Sequence, residues 1–127
     1  AKQYYVFLDE IQKVMENIIF NELKLRGFNV DVGVVEYNYK DSEGKSRRSK
    51  LEVDFIANLG SKKFYIQSAL NIDDEQKKEQ ETASLNRIDD SFSKIVVVKD
   101  NIEPWQDDKG IQYIGIEQFL LEEDWLR

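Results

Sequence analysis

The residues best suited to chemistry are Asp54, within Leu51-Glu52-Val53-Asp54-Phe55-Ile56, and Gln67, within Phe64-Tyr65-Ile66-Gln67-Ser68-Ala69. Both stretches read as apolar strands joined by a short turn, so their polar side chains can point to one edge. Glu16, facing inward from a preceding helix, supplies a third oxygen, and Glu81, on a following helix, a fourth. Acidic oxygens converging in this way hold a divalent cation for phosphodiester hydrolysis, while a nearby lysine positions water and offsets transition-state charge. Here the set is incomplete. Gln67 can ligate through its amide oxygen but brings no charge, and Ala69 offers nothing where a lysine is needed. Lys50, Lys63 or Lys94 would have to fill that role. The expectation is a vestigial site, with Glu16, Asp54 and Gln67 as remnants of a metal-binding catalytic set, satisfied by hydroxyls, backbone N–H groups and water.

Composition narrows the chemistry further. The 127 residues include no His and no Cys, which removes thiol catalysis, imidazole acid-base chemistry and zinc sites of the usual kind. Any metal must be an oxygen-loving ion such as Mg²⁺, Mn²⁺ or Ca²⁺. No cofactor is expected for the chain alone, with Mg²⁺ the ion if the site works. The net charge of −7 disfavours nucleic acid as a partner. The basic run Lys45-Ser46-Arg47-Arg48-Ser49-Lys50 is the exception, and Arg47, Arg48 and Lys50 are the candidates for contact with phosphate or an acidic protein face. The absence of cysteine fits a cytoplasmic protein. No apolar stretch approaches the ~20 residues of a membrane span, and Lys2 precedes an apolar run too short for a signal peptide.

The elements that position these residues follow from hydrophobic period. Tyr4-Tyr5-Val6-Phe7-Leu8 is aromatic and β-branched enough for a short strand. Ile11, Val14, Met15, Ile18, Ile19 and Leu23 then recur at helical spacing, with Asp9 as N-cap, Gln12 in capping-box position and Gly27 closing the helix. Val30 to Tyr37 and Lys50 to Asn58 form a hairpin across Asp41-Ser42-Glu43-Gly44, and alternation puts Leu51, Val53 and Phe55 on one face of its second strand. A third strand, Lys63 to Leu70, is followed by a polar helix from about Asp74 to Ile88. Ile95 to Val98 suits a strand covered on both faces. Ile111 to Ile116 forms a last strand, and Glu117 to Trp125 a terminal helix with Phe119, Leu120 and Leu121 inward. The order implies an α/β domain with a mixed central sheet flanked by helices.

Tyr4 to Glu10 is also a Walker B pattern, an apolar strand ending in an Asp for Mg²⁺ and a Glu that activates water for ATP hydrolysis. No phosphate-binding Gly-x-x-x-x-Gly-Lys-Ser/Thr accompanies it. Asp9 and Glu10 are therefore cofactor-binding candidates in the presence of an ATPase module and helix-capping residues otherwise. Together the stretches resemble a known family, predicted P-loop ATPases of bacteria and archaea that end in a restriction-endonuclease-like domain of unknown function. The matching residues are Glu16 to Leu23 with Arg26-Gly27-Phe28, Glu52 to Ile56, Tyr65-Ile66-Gln67, and Asp108-Lys109-Gly110-Ile111 before Phe119-Leu120-Leu121. A wider likeness is to archaeal Holliday-junction resolvases. The resemblance implies a restriction-endonuclease-like, PD-(D/E)XK core over residues 10–127, in which Asp54 holds the Asp position while Gln67 and Ala69 replace Glu-x-Lys. It implies that residues 1–9 are a Walker B-like strand displaced from the ATPase module, by engineered deletion, fragmentation or gene truncation. Expected partners are an upstream ATPase module or another protein, or a second copy paired through the N-terminal strand. The expected role is a non-catalytic interaction or regulatory domain, with a metal-dependent endonuclease or resolvase as the alternative, followed by simple self-association.

Overall fold

Long apolar stretches alternating with turn residues dictate a sheet, and the turns are where the sequence places them. The computed structural model describes residues 2–123 and 125. In chain order the elements are α1 (Lys2–Leu25), β1 (Asn29–Lys40), β2 (Ser46–Leu59), β3 (Lys62–Ala69), α2 (Glu75–Asn86), β4 (Ser93–Val98), β5 (Trp105–Gln106), β6 (Ile111–Gly115) and α3 (Ile116–Leu121). One mixed sheet runs β1-β2-β3-β4-β6-β5. β1, β2 and β3 form an antiparallel meander, while β3, β4 and β6 are mutually parallel neighbours. The parallel step from β3 to β4 requires a crossover, which α2 supplies.

Helices cover both faces. Ile19 and Leu23 of α1 and Phe119 of α3 pack with Phe55, Phe64, Ile66, Ile95 and Val97. On the other face Leu85 of α2 packs with Val53, Tyr65, Val96, Val98 and Tyr113. β4 is thus buried on both sides, as its unbroken Ile-Val-Val-Val run requires. Gly27 takes φ +90, and the bonds Gly27 N–H to Lys24 O and Phe28 N–H to Leu23 O, each 3.0 Å, end α1 in a Schellman turn. Arg26 then ties the two helices on that face together. Its Nη2 donates to the carbonyls of Phe119, Leu120 and Glu122 at 2.9–3.3 Å, at the negative end of α3. No helix among the described residues is long and apolar enough to cross a membrane.

Several expectations need correction. Tyr4 to Leu8 is not a strand but part of the 24-residue helix α1, so Asp9 caps nothing and Gln12 is no capping-box residue. A strand needs a free edge to pair with, whereas lengthening an existing helix gains a hydrogen bond per residue. α3 ends at Leu121, whose side chain faces outward at 75% exposure. β5 went unforeseen because it is two residues long. The alternation along β2 also breaks. Val53 joins Ile56 on the α2 face while Phe55 packs on the α1 face.

Candidate functional site

That break has a local cause. β1 and β2 pair Asp31 with Ile56 and Gly33 with Val53, so Val32 alone faces both Asp54 and Phe55. This is a β-bulge on β2, which adds one residue, reverses the faces beyond it and re-aims a side chain. Gly33 permits it, since a Cβ there would stand 2.6 Å from Ile56 Cδ1 and 3.1 Å from Val53 Cβ.

The bulge coincides with a fork between β2 and β3. Their register runs from Leu59 with Lys62 as far as Phe55 with Ile66 and stops there. Beyond it, side chains take over the backbone groups that the parting strands would otherwise leave unpaired. Gln67 Oε1 accepts the Asp54 N–H at 2.9 Å. Asp54 Oδ2 accepts the Ser68 N–H at 2.9 Å and the Ser68 hydroxyl at 3.0 Å. Gln12 of α1 extends the network, its Nε2 donating to Ser68 Oγ at 2.6 Å and, more weakly, to Ser68 O at 3.3 Å and Glu16 Oε1 at 3.5 Å. The result is a polar clip, Glu16-Gln12-Ser68-Asp54-Gln67, joining α1, β2 and β3.

Asp54 acts on two other acids here. Burial pushes the Asp54 carboxyl up, against the Ser68 hydrogen bonds that favour its charged form, with Glu52 adding repulsion. Burial and then the Asp54 charge raise Glu16. The same two causes raise Glu81, with Lys77 opposing them from one helical turn away. Lys77 and Glu81 also line a cleft of about 390 Å³ with Gln12, Asn71 and Lys99, at the carboxyl ends of β3 and β4. Among the described residues no three His, Cys, Asp or Glu side chains stand close enough to share a metal ion.

Comparison with known proteins gives one informative relative. Over 108 residues, 85% of this chain, the sequence is 34% identical to an uncharacterised protein of Haemophilus influenzae. That stretch spans 23% of the relative, so the chain corresponds to a small part of a much longer protein. No protein-family model matches the chain, and no solved structure matches it.

The remaining candidates lie elsewhere. Asp9 and Glu10 are exposed on α1, inside the helix rather than at a strand end. Arg47 and Arg48 sit at the hairpin end, where Arg47 pairs with Asp41 at 2.9 Å and Arg48 with Glu36 at 3.6 Å. Lys50 lines a shallow hollow with Glu36 and Arg48, four residues and so roughly 13 Å along the strand from Asp54. Lys63 and Lys94 both approach the Tyr65 ring, 5.3 and 5.7 Å from its centre, at the start of β3. Lys94 is fixed there by the carbonyls of Asp90 and Phe92. The lysines that act on these acids are instead Lys13, on Glu16, and Lys77, on Glu81, both of which sequence reasoning passed over. Ser68 and Gln12 were also missed. Gln12 left one signal, its place four residues before Glu16 and hence on the same helix face.

Proposed function

We propose that this chain is a restriction-endonuclease-like domain that has lost hydrolysis and serves as an interaction or regulatory module of a longer, cytoplasmic P-loop ATPase. The order of helix, three-stranded meander, helix and parallel strands supports the first part, because it is the core order that the resemblance implies. The single observation that carries the loss of hydrolysis is the clip. Gln67 Oε1 is engaged by the Asp54 N–H, and Asp54 Oδ2 by two donors of Ser68, so the residues at the metal positions hold the two strands together at their fork. A divalent ion fits this set poorly. It would have to compete for oxygens already bonded to backbone N–H groups, and Gln67 adds no charge to attract it. Ala69, fully buried, leaves no cation at the lysine position. The size of the Haemophilus relative fits a module within a larger polypeptide. The test is incubation of the protein with single-stranded, duplex and branched DNA in Mg²⁺ or Mn²⁺. No cleavage is expected, and cleavage that disappears in Asp54→Ala would refute the proposal.

One observation favours a second reading. The Asp54 charge raises both Glu16 on α1 and Glu81 on α2, and Lys77 lines a cleft together with Glu81. A metal-dependent endonuclease whose lysine has moved to α2 would use these residues, drawn closer about an ion than they stand here. Cleavage lost equally in Asp54→Ala and Lys77→Ala would establish it.

A further inference from the structure

α1 carries two apolar stripes, and the sheet covers one of them. Met15, Ile19 and Leu23 are buried in the core. Tyr4, Phe7, Ile11, Val14 and Ile18 form a second stripe at alternating spacings of three and four, which Asn21 and Leu25 continue. Tyr4, Phe7, Val14 and Leu25 are 56–82% exposed. A surface helix ordinarily turns polar residues outward. Apolar residues at this spacing over three heptads make a helix-pairing seam instead.

We propose that this stripe pairs, antiparallel, with α1 of a second copy of this chain. Charge selects both the occupant and the orientation. A two-fold axis that sets Ile18 against Val14 of the second copy also sets Leu25 against its Phe7. In that register the positions flanking the seam oppose Glu10 to Lys24 of the second copy, and Lys24 to its Glu10. Both residues are exposed in the single chain. Two ion pairs thus close the seam symmetrically. A parallel pairing would bring Glu10 to Met15 and Asn17 to Glu22, neither of them complementary. Asn21 would face Ile11 of the second copy, and an Asn inside an apolar seam fixes register at some expense in stability. This pairing replaces the expected strand-to-strand association, whose N-terminal strand is helical, and does not depend on the state of the Asp54 site.

Sedimentation velocity on the 127-residue chain, from micromolar to millimolar concentration, tests this pairing. A concentration-dependent dimer is expected. Val14→Glu places a charge at the seam's centre and weakens the dimer by roughly a hundredfold or more, with circular dichroism unchanged. Glu10→Lys and Lys24→Glu each weaken it about tenfold, and the double variant restores it. A monomer throughout the range overturns the proposal, including the case in which another segment of a longer polypeptide covers the stripe. A dimer indifferent to Val14→Glu, or one that the double charge swap fails to restore, overturns it equally.

Discussion

Restoring the missing carboxylate by Gln67→Glu tests whether position 67 sits among interacting acids. The glutamate is nearly isosteric and keeps an oxygen for the Asp54 N–H, now 2.9 Å from Gln67 Oε1, so packing and hydrogen bonding should survive. What changes is charge. Burial raises Asp54, Glu16 and Glu81, the Asp54 charge adds to the rise of the last two, and a fourth carboxylate joins them. Two like charges roughly 5 Å apart repel by about 3 kcal/mol at an effective dielectric of about 20. Both residues are half-buried, so solvent screening reduces the net cost to about 1–2 kcal/mol. At pH 7 the midpoint of thermal unfolding should therefore fall by roughly 3–8 °C. Protonation removes the added charge, so the gap from wild type should close as pH falls toward 4.5, the ordinary carboxylate value of Glu. Paired melting curves at pH 7 and pH 4.5 make the measurement. A variant as stable as wild type at pH 7, or a deficit independent of pH, would refute the reasoning that position 67 sits among interacting acids.

Other outcomes follow from the same contacts. Because Glu16, Asp54 and Glu81 are raised, the folded protein keeps protons that the unfolded chain has released, so stability should rise as pH drops from neutral toward 4.5. Below about pH 3.8 the trend should reverse as Asp41 and Asp107 protonate. Arg47 holds Asp41 low, and hydrogen bonds from Tyr113, Ile111 and Lys109 outweigh the burial of Asp107. Denaturant titrations across this range should show the maximum, and Asp54→Asn should flatten its neutral side. Arg26→Ala removes three bonds to the carbonyls at the end of α3 and should cost about 2–4 kcal/mol in chemical unfolding. Gly33→Ala drives a methyl into Ile56 and Val53 and should cost about 1–3 kcal/mol, read from the urea midpoint.

The sequence carried most of the sheet and less of the site. Apolar runs bounded by Gly27, the Asp41-Gly44 turn, Gly60 and the Asp107-Gly110 turn marked the five longer strands, because burial and turn chemistry are local signals. Tyr4 to Leu8 misled because strand propensity says nothing about whether an edge is free to pair. The bulge at Asp54 was invisible too, since an extra residue in one strand appears when its partner's register is known. Asp54 and Gln67 were legible as neighbours on adjacent strands. Their roles were not, because the Ser68 and Gln12 partners come from the fork and from a helix distant in sequence.

The central claim is that Asp54 and Gln67 hold strands rather than an ion. Isothermal titration of the protein with Mn²⁺ tests it most directly. No saturable heat is expected in wild type, nor any rise in melting temperature with added Mn²⁺. Stoichiometric binding that Asp54→Ala abolishes would contradict the account.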